Sequence, residues 1–228
     1  MLAGGTQASR TGLSERGGLL ARSLVRRTGR LIVADVKTEL HRSLRASRAG
    51  LLSRLEGLGE YDLRRPLTPT GTNLLGLVKH LAGLEYGYLG VSFGRDAPES
   101  LPWVDDGSIW QNADMWATQG ESSGYIVGLY QRACAHADAT IAALALDAHG
   151  TVAHWPQDGQ DATLGELLIR MVAETAQHAG HADIVRELID ARPGPDHDEV
   201  FDDASWRAYT AGVQAAADQF RAPGPARA

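Results

Sequence analysis

The sequence predicts an all-α protein: a four-helix bundle with one long crossover loop, plus a short C-terminal helix. Three observations predict it. Four segments repeat apolar residues at helical spacing, no stretch alternates convincingly as a strand, and the connection over residues 94–120 is long for a compact domain. At 228 residues the chain suffices for one core-bearing domain with tails.

The first helix is expected over about residues 33–58 as a single element, with Leu40, Leu44, Leu51, Leu52, Leu55 and Leu58 on its apolar face and Gly57 near its end. A turn-rich loop, Arg65-Pro66-Leu67-Thr68-Pro69-Thr70-Gly71, leads to Thr72 or Asn73 as cap of a second helix over about 74–93. The crossover carries Trp103, Trp110 and Trp116, which argue that it packs as a lid or pocket wall. Ser122 or Ser123 caps a third helix to about residue 146, and residues 149–161 read as a loop containing His154-Trp155-Pro156. The fourth helix opens with a capping box, Thr163 to Glu166, and ends near Ala191 before Arg192-Pro193-Gly194-Pro195. A short helix over about 204–220 and a disordered tail complete the chain. The expected divisions are a flexible basic extension (1–32), the bundle (33–192), and the last helix with its tail (193–228).

Charge narrows the function. Net charge is −6, but residues 1–30 hold six arginines against Glu15, a balance of +5; the remainder holds 16 basic and 27 acidic residues, −11. A body that acidic does not hold a phosphate backbone, so nucleic acid is not an expected partner. No apolar stretch approaches the roughly 18 residues of a membrane span, so no membrane partner is expected either. The single cysteine, Cys134, excludes an internal disulfide and a Cys-rich zinc site, and points to a cytoplasmic protein in which it packs. Oligomeric state stays open, a homodimer included.

The chemistry gathers on two helices. With Leu167 at zero and about 100° per residue, Met171, Glu174, His178, Ala182 and Val185 all fall within roughly 60° of Leu167 on the core side of the fourth helix. A carboxylate and an imidazole thus stand where Leu or Ala is usual, and a buried carboxylate needs a compensating charge. On the second helix, His80 sits inside the series Leu77, Leu81, Leu84, Tyr88. Each feature also has a plain structural reading, His80 as a hydrogen-bonded core residue and Glu174/His178 as a polar pair at the helix margin. Their coincidence favours a metal site of two His and one carboxylate with a position left for water or substrate, the pattern of a catalytic site. His181, one turn beyond His178, is open to three roles: ligand in place of Glu174, hydrogen-bond partner of His178, or proton relay. Trp103 and Trp155 are candidate pocket residues. Glu85 reads as a solvated or loop-pairing acid, and His136, His149 and His154 as surface residues, with His154 able to border the pocket.

Val78-Lys79-His80-Leu81-Ala82-Gly83-Leu84-Glu85, together with Glu174-Thr175-Ala176-Gln177-His178-Ala179-Gly180-His181, resembles the DinB-like superfamily of four-helix metalloproteins, in particular its mycothiol-dependent branch. The resemblance spans about residues 33–190. It implies a divalent metal, often zinc, held by His80, Glu174 and His178; Glu at position 174, where many members carry His, is similar to the mycothiol-dependent maleylpyruvate isomerase type. It also implies a metal that ionises a small thiol such as mycothiol for S-transfer to, or isomerisation of, a small electrophile. A metal-dependent hydrolase of a small amide or ester, and a non-catalytic metal-binding protein, are the alternatives, because fold alone does not fix activity.

Overall fold

A computed structural model describes residues 36–191 and 202–221. The expected basic extension and the final residues of the tail lie outside the described residues. Seven helices and a single two-stranded sheet make up the described structure, so the protein is mostly helical, as the sequence predicts.

Helix α1 occupies residues 36–53. It stops short of the expected residue 58. Arg54 N–H and Leu55 N–H reach back only three residues, to Leu51 and Leu52, and the chain then turns through Gly57 at φ +75°, a conformation that favours glycine. Arg186 of the last bundle helix closes this end by donating from Nη1 to the carbonyls of Arg54 and Glu56, each at 2.8 Å. Helix ends leave such carbonyls without partners, and here a buried guanidinium supplies them. A short helix, α2 (Glu60–Arg64), follows.

Helix α3 (Leu74–Leu89) starts at Asn73, whose side chain accepts from Gly76 N–H at 2.7 Å. The expected continuation to residue 93 is interrupted at Gly90, beyond which Val91–Phe93 form a single 3₁₀ turn. Within the crossover lies the short α4 (Pro102–Asp105). Ser122 caps α5 (Ser123–Ala143). The span expected to be loop carries a small antiparallel hairpin, β1 (His149–Thr151) with β2 (Asp161–Thr163), in the register His149 to Thr163. Strands of three residues are too short to display an alternating pattern. The capping box of Thr163 and Glu166 then opens α6 (Leu164–Asp190), and Asp202 caps α7 (Asp203–Asp218).

Cross-helix partners define the bundle. Lys37 reaches Leu144 O and Arg48 reaches Asp138, so α1 and α5 run antiparallel. His80 meets His178 while Tyr88 meets Arg170, so α3 and α6 are antiparallel as well. Lys79 pairs with Glu121 and the Tyr86 ring with His136, so α3 and α5 run in the same direction. The long crossover makes that possible by returning the chain to the end from which α3 started. Leu51, Leu74, Leu77, Leu81, Ile126 and Leu129 fill the core at one end, and Leu44, Leu89, Ile141, Leu167 and Met171 at the other. Among the described residues no helix is long and apolar enough to cross a membrane.

Candidate metal and thiol site

The crossover is fixed to α3 before any site residue is placed. Lys79 is fully buried, and its ammonium donates to Ala113 O, Trp116 O and Glu121 Oε2, each at 3.0 Å, while lying 4.3 Å from the Trp103 ring centre. A lysine needs such partners to stay charged away from water. Asn73 donates to Met115 O at 3.1 Å, and a side chain at Gly76 would overlap the Met115 carbonyl. These contacts bring Asp114, on the 3₁₀ turn Ala113–Met115, against α3.

Asp114 is buried and accepts a 2.6 Å hydrogen bond from Nδ1 of His80. A carboxylate on one imidazole nitrogen fixes the ring and leaves the other, Nε2, as the electron-pair donor. From α6, His178 faces the His80 ring edge-on, centroids 5.1 Å apart. Its Nε2 lies 3.7 Å from Glu174 Oε2, and its Nδ1 lies 3.3 Å from Nδ1 of His181, one of the two nitrogens donating. Burial, reinforced by the neighbouring His80 and His181, pushes the His178 pKa down to about 4 against the pull of Glu174. His178 is therefore neutral near pH 7, and its approach to Glu174 is no ion pair.

Glu174 and His178 are half-buried at the margin of the apolar stripe, while Leu167, Met171, Ala182 and Val185 on the same face are buried. Glu174 Oε1 lies 3.4 Å from Nη2 of Arg170, one turn earlier on α6. The Arg170 guanidinium is 5.1 Å from the ring centres of both Tyr88 and Trp155. Trp155 Nε1 donates to Tyr88 OH at 3.3 Å, and His154 Nε2 approaches the same hydroxyl at 3.3 Å. Partial burial and the Arg170 charge hold His154 below its ordinary pKa. Trp110, exposed on the crossover, lies 6.1 Å from His154 between ring centres. Trp155, an expected pocket residue, thus stands beside Arg170. Trp103, the other, lies in the core at 3 % exposure.

Glu85 reverses its sequence expectation. It is fully buried and takes a bidentate pair from Arg48, both contacts 2.7 Å, while Arg48 also donates to Asp138 at 2.6 Å and His41 contacts Asp138 at 2.8 Å. Burial opposes the Arg48 charge, but the Glu85 hydrogen bonds and charge hold its pKa above the ordinary value. Cys134 lies 4.0 Å from Glu85, and burial, with the Glu85 charge, pushes its thiol up to about 12. A thiol held that high is not a nucleophile near neutrality.

The donor set suits a divalent ion in kind: two imidazoles, one of them held neutral and the other oriented by the Asp114 carboxylate, beside the carboxylate of Glu174. As they stand, the described residues contain no group of three His, Cys, Asp or Glu gathered closely enough to hold a metal, and Glu174 leans toward Arg170. Sequence reasoning missed Asp114, which sits in a loop and reaches His80 only through the folded crossover. Arg170 left one signal, its spacing of four from Glu174.

The mostly helical structure with its single small hairpin agrees with an all-α, DinB-like fold. The chain belongs to the mycothiol-S-transferase family, whose sequence model matches residues 39–191. That membership supports a mycothiol-related enzymatic role with a small-molecule thiol as substrate. No curated protein matches the sequence.

Proposed function

We propose that the protein is a metal-dependent enzyme that activates mycothiol for S-transfer to, or isomerisation of, a small electrophile, with His80, Glu174 and His178 holding a divalent ion, zinc by the type of its donors. The observation that carries this reading is the edge-on approach of His80 from α3 to His178 from α6, with Glu174 3.7 Å from His178 on the same helix, inside the span that matches the family. A bound divalent ion supplies the charge that keeps a thiol ionised at neutral pH.

The chain's own groups do the rest. Asp114 keeps His80 in one orientation, so that Nε2 is the nitrogen presented. Burial keeps His178 neutral and its electron pair available. Glu174 contributes one negative charge, which tempers the acidity of anything held beside it. In the transfer itself the thiol sulfur forms one bond to carbon of the electrophile, the leaving group departs with its electron pair, and the thiol proton passes to solvent. Cys134 takes no part, since its thiol is half-buried and held protonated.

The test compares mycothiol, bacillithiol, glutathione and no thiol against a panel of electrophiles, with metal present and after chelation. The expected result is conjugate formation dependent on both mycothiol and metal, persisting at pH values where the free thiol is protonated and slow. Thiol-independent hydrolysis of a simple ester or amide, with no acceleration by any thiol, would replace this reading with the hydrolase one.

A further inference from the structure

Arg170 is charged and partly exposed, and its geometry is that of a receptor. Its guanidinium lies 5.1 Å from the ring centre of Tyr88 on α3 and 5.1 Å from that of Trp155 on the hairpin loop. The Trp155 indole donates to the Tyr88 hydroxyl, so the two rings hold each other as well as the cation. Two elements other than its own thus fix the end of a long side chain, and the entropy of ordering it is already spent in the fold.

Its hydrogen bonding is far from saturated. A guanidinium has five N–H donors. Among the described residues the one hydrogen bond of Arg170 is the 3.4 Å contact from Nη2 to Glu174, longer than the roughly 2.7–2.9 Å usual for a charged pair. Arg48, by contrast, meets its two carboxylates at 2.6–2.7 Å with three nitrogens, and Arg132 meets Glu99 at 2.8 Å with two. A guanidinium held by aromatic faces, with most of its donors bonded to no protein group among the described residues and 43 % of its side chain exposed, is suited to a planar anion.

We infer that Arg170, framed by Tyr88 and Trp155, binds a carboxylate of the electrophile, so that the acceptor substrates are small organic anions in preference to neutral molecules. The link to an electrophile rests on the thiol-transfer reading; the anion receptor itself does not.

The experiment is a tryptophan-fluorescence titration of the full-length protein as isolated, using benzoate and benzamide as an unreactive matched pair. Wild type should bind benzoate saturably and benzamide about tenfold more weakly or worse, the worth of one charge-assisted contact. Arg170→Met should erase the preference, and Arg170→Lys should keep part of it, because an ammonium retains the charge without the fork. Equal binding of the pair by wild type overturns the inference. An undiminished preference in Arg170→Met also overturns it, since the carboxylate would then be held elsewhere, on a metal for instance. A benzoate preference that survives alongside a failed thiol assay supports the receptor and removes only the thiol reading.

Discussion

Two charged clusters share helix α3, five residues apart, and they are built in opposite ways. At Glu85 the carboxylate is fully buried, both oxygens are taken by Arg48, and Arg48 spends a further donor on Asp138, which also holds His41. Nothing there is left to react. At His80 only Nδ1 is engaged, His178 is neutral, Glu174 has a long contact to Arg170, and all four lie where solvent reaches them in part. Completed pairing marks a cluster that ties helices together, and the incomplete pairing at His80 is what the proposed function reads as a cluster kept for a ligand.

The largest effect should come from breaking the completed cluster. Arg48→Met leaves Glu85 and Asp138 without their shared cation, at a cost of about 3–5 kcal/mol. The melting temperature should fall by about 10 °C or more. A shift of only a few degrees would mean that the network does not carry the α1 to α3 contact. Next in size, His80→Ala and His178→Ala should each reduce thiol-dependent turnover by more than about 100-fold while changing the melting temperature of metal-free protein by less than about 5 °C. A large loss of stability in both variants would place them with Glu85 as structural residues.

Asp114→Asn keeps the shape and removes the charge that orients His80. Metal affinity or turnover should drop by about 10–100-fold, the usual worth of such a partner, and isothermal titration with zinc against the two proteins reads it directly. Glu174→Gln should lower turnover with part of the metal retained, because the missing charge alters both affinity and thiol acidity. The smallest effect belongs to Cys134. With its pKa at about 12, only about 10⁻⁴ of the thiol is ionised at pH 8, and the ionised share rises as the pH approaches 12. Alkylation of folded protein by iodoacetamide should accordingly be far slower at pH 8 than that of denatured protein, and Cys134→Ala should leave turnover within about twofold. Rapid labelling of native protein would show that the completed cluster opens.

The four bundle helices were legible because each is long enough to show a 3.6-residue period, and three of their starts because Asn73, Ser122 and Thr163 are capping residue types beside apolar runs. His80, Glu174 and His178 stood out because polar residues on an apolar stripe are costly. Glu85 sits on the same helix with the same cost, yet read as solvated, since its partner Arg48 lies 37 residues away on another helix. Asp114 carried no pattern at all. Its position depends on Lys79 and Asn73 pinning the crossover, which is a tertiary fact. The early end of α1 likewise depends on Arg186, 132 residues further along the chain near the end of α6, binding its carbonyls. The hairpin escaped notice because three residues are too few to alternate.

The contrast between the two clusters rests on one claim, that His80, Glu174 and His178 are kept for a divalent ion. Elemental analysis after dialysis, first without and then with chelator, tests it on wild type, His80→Ala and His178→Ala. The account predicts about one divalent ion per chain in wild type, zinc foremost, and none at stoichiometric level in either variant. Full retention of metal by both variants, or a wild-type chain that takes up none when zinc is supplied, would contradict it.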